Sequence, residues 1–182
     1  WQKSFKWKPP EFNTIDFKVK ILNKDNVPIF NNDGVNMYKN VELYVLFNKS
    51  QEIIDHQTSL LYETYGVKKP ASIEEDKFIP TEPYEPEAYN AYFKLDFIKD
   101  NEGKLYTEEG EIIEDNYIVE CKYQKKEDKR LCWVPLRLRS DKVKPNGFSV
   151  ANSNWYSIHH EVTKKMLINK DEVYIKNDID ND

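Results

Sequence analysis

Thr14-Ile15-Asp16-Phe17-Lys18-Val19-Lys20-Ile21-Leu22 places Ile15, Phe17, Val19 and Ile21 at alternate positions, with polar side chains between them. Such alternation is the signature of a half-buried strand, because successive side chains leave opposite faces. Val41 to Phe47 repeats the pattern, and turn chemistry at Asn31-Asn32-Asp33-Gly34 lies in the connection. Further out, Tyr89–Ile98, Tyr117–Tyr123 and Leu131–Leu138 read as strands. Leu105–Glu109 and Glu111–Glu114 flank Gly110 as a small hairpin, and the charged run Lys125–Arg130 turns between the last two strands. Five or more strands with hairpin connections suit a mainly β fold, either a small antiparallel barrel or a sandwich.

The remaining segments are less regular. Ser50 can cap a short helix over 51–64, where Ile53, Ile54, Leu60 and Leu61 fall roughly on one face. Residues 66–88 contain Pro70, Pro80, Pro83 and Pro86 and read as an extended insertion. Beyond Lys142, the spacing of Trp155, Ile158, Val162, Met166 and Leu167 predicts a C-terminal helix over 154–168, its apolar stripe packed on the strands. Residues 169–182 read as a linker or tail.

At 182 residues the chain is long enough for one domain with a proper core. Aromatic content of 14% leans toward β structure. No apolar run approaches ~18 residues, so no membrane span is expected. Lys and Arg total 27 against 32 Asp and Glu, a net charge of −5, which argues against broad electrostatic coating of nucleic acid. A local phosphate site remains compatible, because the cations are uneven: Lys3, Lys6 and Lys8 open the chain, and a second group runs from Lys122 to Lys144. A focused basic cleft on an acidic body is the expectation. Two cysteines, Cys121 and Cys132, and three histidines, His56, His159 and His160, make no metal-site spacing. The cysteines are expected reduced, and His159-His160 is expected on a solvated helix surface.

Two cation clusters carry the chemistry. Lys6 and Lys8 flank Trp7 on one strand face, and Pro9-Pro10 then ends the strand. Two ammonium groups so placed suit adjacent phosphates, although a basic strand edge has the same pattern. Downstream, Trp133-Val134-Pro135-Leu136-Arg137-Leu138-Arg139-Ser140-Asp141-Lys142 puts Arg137 and Arg139 on one face, with Asp141 in the same parity and Lys142 following. Trp133, Leu136 and Leu138 supply apolar anchoring. Arginine forks take phosphate oxygens bidentately and lysine acts as a point charge. An ion-pair ladder across an antiparallel sheet would use the same residues.

Read together, Lys6-Trp7-Lys8-Pro9 with Thr14-Ile15-Asp16-Phe17, and then Trp133 through Lys142, resemble the last two motifs of the covalent nucleotidyltransferases. The Trp133 start and the Thr14–Phe17 element resemble mRNA cap guanylyltransferases, in the form found in large DNA viruses, more than ligases. Softer likeness lies in Phe78–Tyr84 and Ala151–Ile158, so that the resemblance reaches from residue 1 to about 168.

The resemblance implies an OB-fold domain over 14–168, preceded at 1–13 by the last strand of a nucleotidyltransferase domain. It implies GMP transfer from GTP, through a covalent lysine–GMP, to the 5′-diphosphate end of RNA. Lys6 and Lys8 would contact the α-phosphate region; Arg137, Arg139, Asp141 and Lys142 would orient the β- and γ-phosphates. Asp16 would brace the domain junction or pair with a cation of the later motif, and Trp133 would be structural. Mg2+ or Mn2+ would arrive with GTP, held largely by phosphates. Further implied partners are the upstream nucleotidyltransferase domain and a downstream guanine-N7 methyltransferase domain. The implied setting is intracellular, in the host cytoplasm (a viral factory) or the virion.

The family's nucleophile sits in a K-x-D-G motif, which this sequence lacks; Asn31 stands where Asn32-Asp33-Gly34 would require the lysine. The chain is therefore expected to be a fragment, inactive alone. Two other functions fit: the OB domain of an ATP-dependent nucleic-acid ligase, and a non-catalytic module for single-stranded RNA.

Overall fold

The computed structural model describes residues 12–22, 26–31, 34–48, 73–96 and 103–160. Among the described residues, eight antiparallel strands form one curled sheet: β1 (Thr14–Ile21), β2 (Val27–Asn31), β3 (Gly34–Asn48), β4 (Ile73–Lys77), β5 (Asn90–Asp96), β6 (Lys104–Leu105), β7 (Ile118–Tyr123) and β8 (Trp133–Leu138). The order is β6-β5-β3-β1-β7-β8, with β2 and β4 added on β3. A helix, α1 (Phe148–His159), follows.

β3 organises the sheet. Its 15 residues would span about 50 Å if extended, more than a domain this small can keep flat, so the strand twists around the core and serves four partners. It pairs in turn with β2, β5, β1 and β4, from Asn31↔Gly34 to Asn48↔Ile73. The five strands β5-β3-β1-β7-β8 follow the order of an OB-fold-like barrel. Closure comes from the hairpin at Gly110, a glycine at φ 87°. β6 pairs with β5, and the Glu108 and Glu109 amides donate to the carbonyls of Pro135 (2.9 Å) and Leu136 (3.1 Å) on β8. The hairpin thereby covers the edges that β5 and β8 would otherwise expose.

Inward-facing residues of β1, β3 and β5 supply the core: Ile15, Phe17 and Val19; Val41, Leu43 and Val45; Ala91, Phe93 and Leu95. Trp133 packs edge-on against Phe17, centroids 4.9 Å apart, and its indole N–H donates to the Ala88 carbonyl at 2.8 Å. α1 seals one end of the barrel. Trp155 inserts among Phe78, Tyr123 and Trp133, and its indole N–H donates to the Pro83 carbonyl. Phe148 stacks on Phe47 at 4.5 Å, and the Asn154 amide donates to the Thr14 carbonyl at 2.9 Å.

The expected strands at 14–22, 41–47, 117–123 and 131–138 and the described part of that at 89–98 are present, with several corrections, the first that Leu131 closes a 3-10 turn and the last strand starts only at Trp133. Val41–Phe47 is only part of β3, and β2 is an additional strand that makes the Asn31–Gly34 turn a hairpin. Within the expected insertion, residues 73–77 join the sheet as β4. The helix begins at Phe148, not 154, because Phe148, Ala151 and Trp155 share the apolar face. His159 is half-buried: its ring lies 4.0 Å from Trp155 and 5.1 Å from Tyr123, so the expected solvated surface holds for His160 alone. Both cysteines are free and buried. The expected helix over 51–64, the segment 161–168 and the tail 169–182 lie outside the described residues. Among the described residues no helix is long and apolar enough to cross a membrane.

Candidate functional site

The outward face of β1 carries Asp16, one residue from core-facing Phe17, as alternation requires. Directly across β7 stands Glu120, and across β8 from Glu120 stands Arg137. A bulge between Glu120 and Cys121 sets this register, and Pro135, which has no N–H to donate, sits opposite it. The Thr14 hydroxyl donates to Glu120 Oε1 and Arg137 Nε to Glu120 Oε2, each at 2.6 Å.

β8 ends at Leu138, so Arg139 and Asp141 do not continue its parity as the sequence suggested. Arg139 lies just past the strand, its amide still bonded to the Ile118 carbonyl. A tight turn, closed by the Lys142 amide on the Arg139 carbonyl, folds Asp141 and Lys142 back. Arg139 then bridges two carboxylates. Its Nη1 donates to both oxygens of Asp16 at 3.0 and 3.1 Å. Its Nε and Nη2 fork onto Asp141 Oδ1 and Oδ2, both at 2.9 Å. The Lys142 ammonium also bonds Asp16.

Asp16 is 5% exposed, and a carboxylate so buried needs compensating donors. Besides the two cations, its backbone is clamped by Asn146: the Asp16 amide donates to Asn146 Oδ1, and the Asn146 amide to the Asp16 carbonyl, both at 2.8 Å. Arg139 is therefore fixed on its inner edge. On its outer edge, the paired Asp141 is 64% exposed.

Burial pushes Glu120 up, but the Thr14 hydroxyl and the Arg137 guanidinium outweigh it and hold the carboxyl below its ordinary value. The Arg139 fork holds Asp141 down to about 2, against a smaller upward push from burial. Hydrogen bonding to Asp141 raises Arg139, and the field of Asp16 adds to it. Arg137 is raised by Glu120. Glu120 and Asp141 are thus held as carboxylates, and Arg137 and Arg139 as cations. Arg137, Arg139 and Lys142 pair with Glu120, Asp16 and Asp141, so carboxylates stand among the cations of this cluster.

Of the residues singled out from sequence, Asp16, Arg137, Arg139, Asp141 and Lys142 come together here, while Trp133 is buried in the core. Lys6 and Lys8 lie outside the described residues. Glu120, Thr14 and Asn146 were missed. Parity alone places Glu120 outward, but only the β1–β7 register puts it beside Asp16. Among the described residues no three His, Cys, Asp or Glu side chains gather as a metal site. The carboxylates of the cluster, Asp16, Glu120 and Asp141, are each engaged with a cation.

A family model for the C-terminal domain of mRNA capping enzymes matches residues 12–168, most of the chain. No curated protein matches it.

Proposed function

The chain belongs to the family of mRNA capping enzyme C-terminal domains, and on that premise we propose that it is the OB-fold portion of an mRNA guanylyltransferase. In this reading, GMP passes from GTP to a lysine on an upstream nucleotidyltransferase domain, and from there to 5′-diphosphate RNA. The observation that carries the reading is the convergence of Arg139 and Lys142 on buried Asp16. Asp16 holds both cations in place before any ligand arrives, which removes the reorganisation that flexible side chains would otherwise require.

Arg139 and Lys142, with Arg137 beside them, would meet the β- and γ-phosphates of GTP when this domain closes over the nucleotide. Charge that develops on the departing pyrophosphate would be met by a rigid fork and a point charge. Lys6 and Lys8 would serve the α-phosphate, and closure would exclude water from the reaction. The balanced cluster suits such a cycle: cations satisfied by Asp141 and Glu120 in the open state exchange a carboxylate for a phosphate in the closed state. A divalent cation, Mg2+ or Mn2+, would neutralise phosphate charge and travel with GTP. The proposed setting is the host cytoplasm or the virion, and a guanine-N7 methyltransferase domain is the proposed downstream neighbour.

The test is covalent labelling of the enzyme that contains this chain with α-labelled GTP and, separately, ATP. Label from GTP alone, discharged by 5′-diphosphate RNA, is the expected result. Label from ATP alone would assign the chain to ligase chemistry, and no label from either would leave a non-catalytic RNA-binding module.

A further inference from the structure

β1 loses a neighbour on one side just where Asp16 sits. Its pairing with β3 runs from Ile21↔Val41 to Lys18↔Tyr44 and stops there, while its pairing with β7 continues to Thr14↔Lys122. The Asp16 amide and carbonyl on the β3 side therefore have no strand to bond, and a buried backbone group left so is costly. Asn146 fills the gap. From one position it donates its own amide to the Asp16 carbonyl and accepts the Asp16 amide on Oδ1, both at 2.8 Å. Its carbonyl takes the Leu46 amide of β3 at 3.0 Å, so it bridges the two strands where they part. A short side chain that ends in an acceptor is what such a two-way bond needs.

The same segment carries the cations. Arg139 and Lys142 reach the Asp16 carboxylate, and four residues after Lys142 the chain returns to the Asp16 backbone. Residues 139–146 thus form a loop pinned at both ends on one residue. Buried Pro145 and Gly147, which is bridged to Leu46, lead on from it into α1.

We infer that Asn146 is a positioning residue for the release of pyrophosphate: it fixes the place of Asp16, and through that carboxylate the places of Arg139 and Lys142. The inference rests on the capping reading for what the two cations meet. In the first half-reaction of that reading, the lysine amine of the upstream domain bonds to the α-phosphorus of GTP and loses its proton. The P–O bond to the β-phosphate breaks, and pyrophosphate leaves with the electron pair. Without the Asn146 side chain, the Asp16 amide has no acceptor and β1 is unbraced on this side, so the carboxylate and its cations shift. A misplacement of about 1 Å can cost a hundredfold in rate. In the second half-reaction a terminal oxygen of the RNA diphosphate displaces the lysine nitrogen, which regains a proton. Pyrophosphate has already left, so this step does not call on the placement that Asn146 provides.

The test separates the two half-reactions in the enzyme that contains this chain. At a temperature where both proteins are folded, Asn146→Ala should slow enzyme–GMP formation about tenfold. Transfer of GMP from isolated enzyme–GMP to 5′-diphosphate RNA should stay near the wild-type rate. Asn146→Asp, which keeps an accepting oxygen, should restore labelling. If the alanine variant does not fold, Asn146→Ser, whose hydroxyl stops one bond short, should show the same split. Equal slowing of both half-reactions, unchanged labelling in a folded Asn146→Ala, or an aspartate variant no better than alanine would overturn the inference. A wild-type enzyme that takes no label from GTP would sink the capping reading itself, and the inference with it, before any variant is compared.

Discussion

β1 has two faces that do different work. Ile15, Phe17 and Val19 are fully buried on one, among β3, β5, Trp133 and the end-sealing helix. Asp16, one residue away and almost as buried, faces the other side and is held entirely by polar partners. The core face depends on volume and tolerates imprecise geometry; the charged face depends on satisfying every donor and acceptor, and fails when one partner is lost. A strand can carry both because alternation separates them completely.

Substitutions should expose that difference. The largest stability loss is expected from Trp155→Ala, which empties the centre of the aromatic cluster. It should cost about 3–5 kcal/mol in urea unfolding, and a loss below about 1 kcal/mol would mean that the helix does not seal the barrel. Asp16→Asn keeps the shape and removes the charge that holds Arg139 and Lys142. Because those cations are partly exposed, about 2 kcal/mol is expected, with GMP labelling lost far out of proportion to stability. An equal fractional loss in both would make Asp16 a merely structural residue.

Acid tests the same face. The Glu120 carboxyl is held below its ordinary value, so its contribution is complete above the unfolded value near ~4.3 and disappears as pH falls through the lower folded one. Melting temperature should therefore fall on acidification below about pH 4.5. Glu120→Gln should flatten that limb, and an unchanged acid limb would remove Glu120 from the network. The smallest stability effect belongs to Arg137→Ala. Arg137 is 49% exposed and its pair with Glu120 is screened by solvent, so the melting temperature should barely change. A larger loss in chemical unfolding would show that the pair is better shielded than its exposure implies.

Much of the core face was legible in the sequence. Alternation at Ile15, Phe17 and Val19 identified β1 and its buried side, and turn residues located the Gly110 hairpin. β2 escaped because it is five residues long and contains Pro28, which speaks against a strand. The start of the helix was missed because Phe148 and Ala151 were not counted with Trp155. On the charged face, residue types were legible but their neighbours were not. Nothing local reveals that Glu120 stands across from Asp16, or that Asn146, 130 positions from Asp16, clamps its backbone. These depend on register, a bulge and a turn, which one sequence does not specify. The end of β8 at Leu138 turned an expected row of alternating charges into a folded-back cluster.

The most direct test of the account is GMP labelling of the enzyme that contains this chain, with Lys142→Ala compared with wild type at a temperature where both are folded. The account predicts that enzyme–GMP formation falls by about an order of magnitude or more, which corresponds to about 1.4 kcal/mol or more of lost transition-state stabilisation. Unchanged labelling in the folded variant would contradict it, and would leave the Asp16 cluster as a structural clamp.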